Sequence, residues 1–348
     1  MAGVILDRVS RRFDADHPAL DDVSLELRHG ELLAVLGRSG SGKTTLLRLI
    51  AGFERPDAGE IRIAGESVAG NGRFVPPERR RIGMVFQSYA LWPHMDVRRN
   101  IGYPLEARGV KGADYDARVS RALEAVGLSA FGGRRPQALS GGQRQRVALA
   151  RCLVMDPAVV LLDEPLASLD IHLRASLSQE LVSFHASTGA TMLYVTHDQA
   201  EALAIADRVA VLDHGRLLQV DAPQALYREP ASAAVAAFVG GGSVVPAEVL
   251  GPPAGGVAPV RVLGLVRTIR AHPGQPTGPA EVCLRPEDLA IAAAGAAGWV
   301  TQRAYQGATV ALDLTCAGER LRAVVPASAA TDETEIRLDI RDGWIIPR

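Results

Sequence analysis

The sequence predicts an alternating α/β domain followed by a smaller all-β domain. Three observations carry this. Short continuous apolar runs recur among helical stretches through most of the 348-residue chain. A glycine-rich octapeptide, Gly37-Arg38-Ser39-Gly40-Ser41-Gly42-Lys43-Thr44, follows one of those runs directly. Composition then shifts at Gly240-Gly241-Gly242, beyond which glycine and proline become dense.

The elements follow in order. Residues 23–27 alternate apolar and polar, as a half-buried strand does. Residues 32–36 are a continuous apolar run ahead of the glycine-rich turn, and residues 45–51 read as the helix after it. Between residue 88 and about 133 the pattern is more helical, broken by Pro93, Pro104 and Gly109, which suggests a helical insert. Residues 159–162 and 192–195 are short apolar runs suited to strands buried on both faces. Residues 204–212 read as a helix end followed by a strand. After Gly242, short β-like runs at 260–266, 281–284, 310–314, 321–325 and 335–340 lie between turn residues, the pattern of a small barrel or sandwich. No internal repeat is visible.

Charge and cysteine content exclude several classes. Lys+Arg and Asp+Glu nearly cancel, 38 against 39, so no general attraction to nucleic acid is expected. Cys152, Cys283 and Cys316 are scattered, which argues against a zinc site or a disulfide framework and for a reducing compartment. The first residues do not read as a signal peptide, and no apolar segment approaches the ~18 residues a membrane span needs.

The octapeptide fits GxxxxGK[ST], and it follows a strand-like run and opens a helix, the context that motif requires. Its glycines let backbone N–H groups turn toward phosphates, and the helix N-terminus adds positive potential. Lys43 is expected to reach the β- and γ-phosphates of ATP and Thr44 to bind Mg²⁺, with Thr45 next to it in the site. Asp163, at the end of 159–162, is a second Mg²⁺ candidate, and Glu164 suits a general base for the attacking water. Alone, each acid would read as a solvated strand-end residue; after a phosphate loop the catalytic reading is preferred. Gln87 ends another apolar run, and its amide can bridge metal and water; the alternative is an ordinary loop glutamine. His197 follows the strand at 192–195 and can contact the γ-phosphate; the alternative is a capping histidine. Leu139-Ser140-Gly141-Gly142-Gln143 places a serine and two glycines ahead of a helical stretch, a second anion-binding nest.

With these motifs the chain resembles the nucleotide-binding subunit of an ABC transporter over about residues 3–240. The resemblance implies an α/β P-loop NTPase, an ABC ATPase cassette over residues 1–240 with a helical subdomain at about 88–150. It identifies residues 139–143 as the signature, contributed in trans to the ATP of a second copy. It adds Asp170 of a Ser168-Leu169-Asp170 loop at the dimer interface, and Phe13 as the aromatic that stacks on adenine; core packing is the alternative for Phe13. Two copies would sandwich two ATP molecules, and hydrolysis would reopen the homodimer.

Phe86-Gln87-Ser88-Tyr89-Ala90-Leu91-Trp92-Pro93-His94-Met95 resembles the importers for maltose, polyamines, ferric iron and sulfate. The resemblance implies transmembrane permease subunits, a periplasmic or lipid-anchored solute-binding protein, and a peripheral place at the cytoplasmic face of the bacterial inner membrane. Leu91, Trp92 and Pro93 form an apolar knob read as the permease contact, with core packing of the insert as the alternative. Cys283-Leu284-Arg285-Pro286-Glu287-Asp288 resembles an element of the small all-β, OB-like TOBE domain, expected at 241–348. Residues 238–247 resemble the junction in ferric-iron importers somewhat better than others, so ferric iron ranks first as cargo, then polyamine (spermidine/putrescine), then phosphonate. A non-transport ABC ATPase is disfavoured by the short insert and single cassette, and a P-loop kinase has no use for residues 139–143.

Overall fold

The computed structural model describes residues 2–13, 18–167 and 171–347. They form two compact units, Met1–Pro223 and Gln224–Arg348.

In the first unit β1 (Ala2–Arg12) and β2 (Pro18–Arg28) pair antiparallel. The expected alternation in β2 is present: Leu20, Val23, Leu25 and Leu27 are buried and their neighbours are not. Next come β3 (Leu32–Leu36) and α1 (Lys43–Ala51). Strands β4 (Ala58–Ile63), β5 (Glu66–Gly70) and β6 (Arg73–Phe74) complete a sheet of order β2-β1-β4-β5-β6, which the sequence reading did not foresee. After β7 (Ile82–Val85) the insert supplies α2 (Val97–Ala107), α3 (Gly112–Ala125) and α4 (Gly141–Leu153). Pro104 lies inside α2 rather than ending it. It is close to the C-terminus, where the one ladder bond it forfeits is least needed. The unit continues with β8 (Val159–Asp163), α5 (Ile171–Thr188), β9 (Met192–Thr196), α6 (Gln199–Ile205), β10 (Arg208–Asp213) and β11 (Arg216–Asp221).

The second sheet has the order β11-β10-β3-β9-β8-β7, parallel except for β11. Its central strands β3 and β9 are buried along their whole length because both faces are covered, whereas edge strand β11 has no buried residue. Successive side chains of a strand alternate between faces, and β9 shows the result. Met192 and Tyr194 join the core shared with α2, α3 and α4, while Leu193 and Val195 join the core shared with α1 and the antiparallel sheet.

The second unit opens with α7 (Pro223–Arg228) and α8 (Ala233–Phe238). The compact units thus divide at the first residue of α7, whereas the composition shift falls at Gly240. Buried Arg285 is the reason: its guanidinium donates to the carbonyls of Tyr227, Ala236 and Val239, and its Cζ lies 4.2 Å from the Tyr227 ring centroid. Trp344 Nε1 adds a bond to Pro230 O at 3.1 Å.

Strands β12 (Ser243–Val249), β13 (Val257–Val262), β14 (Leu265–Arg270) and β15 (Gly278–Leu284) follow. Then come β16 (Leu289–Tyr305), β17 (Thr309–Cys316), β18 (Glu319–Pro326), β19 (Glu335–Ile340) and β20 (Trp344–Ile345). They build a closed barrel, β12-β13-β14-β20-β15, and a four-stranded sheet, β18-β17-β16-β19. The run at 260–266 is not one strand but a hairpin. Leu263 (φ 50°) and Gly264 (φ 79°) both adopt positive φ, the two-residue turn that matches strand twist.

Candidate nucleotide site

The phosphate-loop candidates sit where β3, the fully buried strand between β10 and β9, gives way to α1. Backbone approach dictates two of the glycines. A Cβ on Gly42, at φ 103°, would lie 2.3 Å from Ala19 O, and one on Gly37 would lie 2.3 Å from Leu212 O. Lys43 is buried, and its Nζ donates to Gly37 O at 2.8 Å and Arg38 O at 3.0 Å, curling the loop around the ammonium. Burial pulls its pKa down; the charges of Glu164 and Asp163 oppose that. Ser41 Oγ is buried without a hydrogen-bond partner. Arg38, Ser39, Gly40 and Thr44 are exposed, Thr45 partly so. The first N–H groups of a helix such as α1 have no partner within it.

Parallel pairing brings the acids to the same edge. Leu36 pairs with Thr196, and Asp163 with Val195. Burial first, then the neighbouring Glu164 charge, raises the Asp163 pKa, against Arg48 and Lys43. Glu164 has φ 44°, an uncommon left-handed conformation for a residue with a Cβ, and its N–H is held by Val195 O at 3.0 Å. Its Oε2 lies 3.0 Å from His197 Nδ1, so the structure brings these two residues into contact. Such strain clusters where function over-determines the backbone. Gln87 is exposed in the turn after β7, two residues beyond the Val85–Leu162 pair. Phe13 is 54% exposed, with the Arg11 guanidinium 4.8 Å from its ring centroid, so it is not a core residue.

At residues 139–143 the sequence builds a capped helix start. Ser140 Oγ accepts from Gln143 N–H at 3.3 Å, and Gln143 Oε1 accepts from Ser140 N–H at 3.0 Å, a reciprocal capping box. Leu139 is buried and anchors the turn, whereas Ser140 is exposed and Gly141 partly exposed. Gly142 packs so closely on α5 that a Cβ would come 2.5 Å from Leu177 Cδ2. Asp170, with Ser168 and Leu169, lies outside the described residues.

The apolar knob divides. Leu91 packs against the core of the insert, Trp92 is half-buried against Tyr103 with ring centroids 4.4 Å apart, and Pro93 is exposed. Sequence reasoning missed the residue that shapes this turn. Fully buried Asn100 accepts from Trp92 N–H at 2.9 Å, and the two N–H of its Nδ2 are shared among Trp92 O, Met95 O and Asp96 O at 3.0–3.1 Å. No sequence signal marks it, because an asparagine inside a helix resembles any surface polar residue. Tyr89 and Arg151 were likewise not singled out, although Arg151 closes the arginine-rich stretch after the signature.

The residues suit a nucleotide triphosphate with its divalent cation. A buried ammonium and an unpartnered buried hydroxyl lie in the glycine loop, and a pair of adjacent carboxylates ends β8 beside them. Fold and site together define a P-loop NTPase. The sequence model of the family described as "ABC transporter" matches residues 20–167, and that of the TOBE domain matches residues 282–343. The chain is 48% identical over 285 residues to a spermidine/putrescine import ATP-binding protein of Pseudomonas aeruginosa (strain UCBPP-PA14), covering 82% of this chain and 77% of that one. It is 44% identical over 354 residues to the protein of the same name from Methylococcus capsulatus, covering 97% and 90%. It is 42% identical over 327 residues to a Fe(3+) ions import ATP-binding protein of Brucella abortus (strain 2308), covering 93% and 91%. Among solved structures, cbiO1 from Clostridium perfringens, described as part of the ABC transporter complex cbiONQ, matches with a TM-score of 0.59 at 28% identity, over 65% of this chain and 90% of that one. The chain belongs to the ABC transporter family, as an ATP-binding import subunit with a C-terminal TOBE domain. ATP hydrolysis coupled to transport is the activity of that class.

Proposed function

We propose that two copies of this chain bind two ATP molecules between them and drive import of a small, positively charged solute through membrane permease subunits. Residues 37–45 hold the phosphates, Lys43 neutralising the terminal ones, and Phe13 offers its exposed face to adenine. Thr44, Asp163 and Gln87 would hold Mg²⁺, which supplies positive charge against the phosphate oxygens when bound. Glu164 accepts the proton of the attacking water, and His197, already in contact with it, orients that carboxylate and meets the γ-phosphate. Ser140, Gly141 and Gly142 meet the ATP of the other copy, with Asp170 at the interface. The half-exposed Trp92–Pro93 turn is the permease contact, and the chain sits peripherally at the cytoplasmic face of the inner membrane. That no helix among the described residues is long and apolar enough to cross a membrane fits this reading.

The contact between Glu164 and His197 at the end of β8 and β9 carries the catalytic part of the proposal. Glu164→Gln keeps the shape of the carboxylate but removes its basicity. Gel filtration of that variant with ATP is expected to show a stable dimer without turnover, and a monomer at all ATP concentrations would refute the reading. For cargo, residues 238–247 support ferric iron. A polyamine is the second reading, favoured by the higher identity to the spermidine/putrescine relatives. Uptake of radiolabelled putrescine and of ⁵⁵Fe(III) in a deletion strain separates the two.

A further inference from the structure

We propose that Tyr89 and Arg151 are positioning residues that tie the turn after Glu164 to the helix that opens with the signature sequence. The inference rests on the roles proposed above for Glu164 and residues 139–143.

Tyr89 stands two residues after Gln87 and is buried, 6% exposed. Its hydroxyl donates to Pro165 O at 3.1 Å, so it fastens the residue that directly follows the left-handed Glu164. Packing alone does not require that hydroxyl, since phenylalanine would fill the same space. The backbone at this point is left-handed twice in succession, at Tyr89 (φ 59°) and Ala90 (φ 46°), although neither is glycine. Conformations of this kind persist only when neighbouring contacts over-determine them.

Arg151 supplies those contacts. It is 8% exposed, and its guanidinium donates to Tyr89 O at 2.7 Å and to Ala90 O at 2.6 Å. Its Cζ also lies 5.0 Å from the Trp92 ring centroid. Arg151 belongs to α4, whose first residue is Gly141. Ten residues of helix make a strut of about 15 Å. One end carries the signature glycines, and the other grips the segment between Gln87 and Trp92. A shift of that segment, whether started by the γ-phosphate at Gln87 or by a permease at Trp92, therefore moves α4 and, through the Tyr89 hydroxyl, the Pro165 carbonyl. Displacement of the Pro165–Leu166 peptide, passed back through the ring-locked φ of Pro165, redirects the Glu164 carboxylate relative to the attacking water. Such a tie acts on turnover rather than on ATP binding, because these contacts are to residues 89, 90, 92 and 165 and none is to the phosphate loop.

Steady-state ATPase kinetics on the full-length chain test this. Tyr89→Phe, which removes one oxygen, is expected to lower kcat about ten- to a hundredfold while the KM for ATP stays within about twofold, since sub-ångström misplacement of a reacting group costs rate in that range. Arg151→Lys keeps the charge but loses the two-carbonyl fork, and is expected to do the same. The double variant should be no more than about twofold slower than the slower single variant, because both cut one connection. A Tyr89→Phe kcat within twofold of wild type overturns the proposal. So does a KM that rises in step with the loss of kcat, or losses that multiply in the double variant. Glu164→Gln runs alongside: turnover surviving it refutes the catalytic reading itself, whereas an inactive Glu164→Gln beside a normal Tyr89→Phe refutes the tie alone.

Discussion

Replacing Asn100 by alanine isolates how the turn at residues 92–96 is held. The side chain contacts four backbone groups there, three of them sharing the two N–H of Nδ2, and the contacts are not equivalent. Trp92 O also accepts from Met95 N–H at 3.2 Å, and Asp96 O from Asn100 N–H at 2.9 Å, and both backbone bonds survive the substitution. The groups left without these partners are Trp92 N–H and Met95 O. An unsatisfied buried group costs about 1–3 kcal/mol, and the low end applies because Trp92 and Met95 are only half-buried. Two such groups and the space left by the amide give about 3 kcal/mol. Alanine's better helix propensity returns about 0.5 kcal/mol. The expected loss is about 2–3 kcal/mol, a factor of 30 or more in the opening equilibrium. Because the chain has two compact units, a single unfolding transition is the wrong assay. Native-state hydrogen exchange on peptides spanning residues 88–107 reads the opening locally. Exchange unchanged to within threefold in Asn100→Ala would refute the reasoning, showing that the turn is held by Trp92–Tyr103 packing instead.

Other expectations follow from the nucleotide site. Lys43→Ala removes both the phosphate contact and the bonds that curl the loop, so calorimetry should show ATP affinity falling by at least a hundredfold; unchanged affinity would refute the loop assignment. Asp163→Asn should end turnover yet stabilise the nucleotide-free chain. The Asp163 pKa is raised on folding, so the native state holds its proton more tightly than the unfolded state does. Its contribution to stability therefore falls as pH rises from the unfolded carboxyl pKa through the raised folded value, and the penalty is fully present above that value. Melting of the two proteins compared at pH 4 and pH 7.5 should show the asparagine variant gaining only at the higher pH; an equal difference at both would show that the carboxylate is not under strain.

How much of this was legible in the sequence depends on the range of the interactions involved. The octapeptide at 37–44 is set by local demands, namely close backbone approach at Gly37 and Gly42 and a helix start at Lys43, so it announces itself. The strands β3, β8 and β9 were visible because burial on both faces leaves no room for polar residues. Strand β16 was not visible. Its alanines and glycines have little strand preference of their own, and it exists because β17 and β19 pair with its two edges. The placement of α7 and α8 in the second unit was hidden for a related reason, since Arg285 reaches back 46 to 58 residues to hold them. Composition at Gly240 reports where the chain becomes turn-rich, not where the contacts divide. In the site, the acids and His197 were found from their positions at strand ends. Asn100, Tyr89 and Arg151 act through backbone carbonyls, which leave no trace in the identity of the partner residue.

The capping box at Ser140 has one more consequence. The Gln143 amide uses a lone pair of the serine oxygen and leaves the hydroxyl hydrogen uncommitted to the helix. When a phosphate oxygen arrives from another molecule, Ser140 can therefore donate outward while still accepting inward. The helix start serves as a two-sided clasp, already closed on its own amide and open to an anion. Its geometry is set within the single chain, so the proposed association of two copies would spend no binding energy on shaping it.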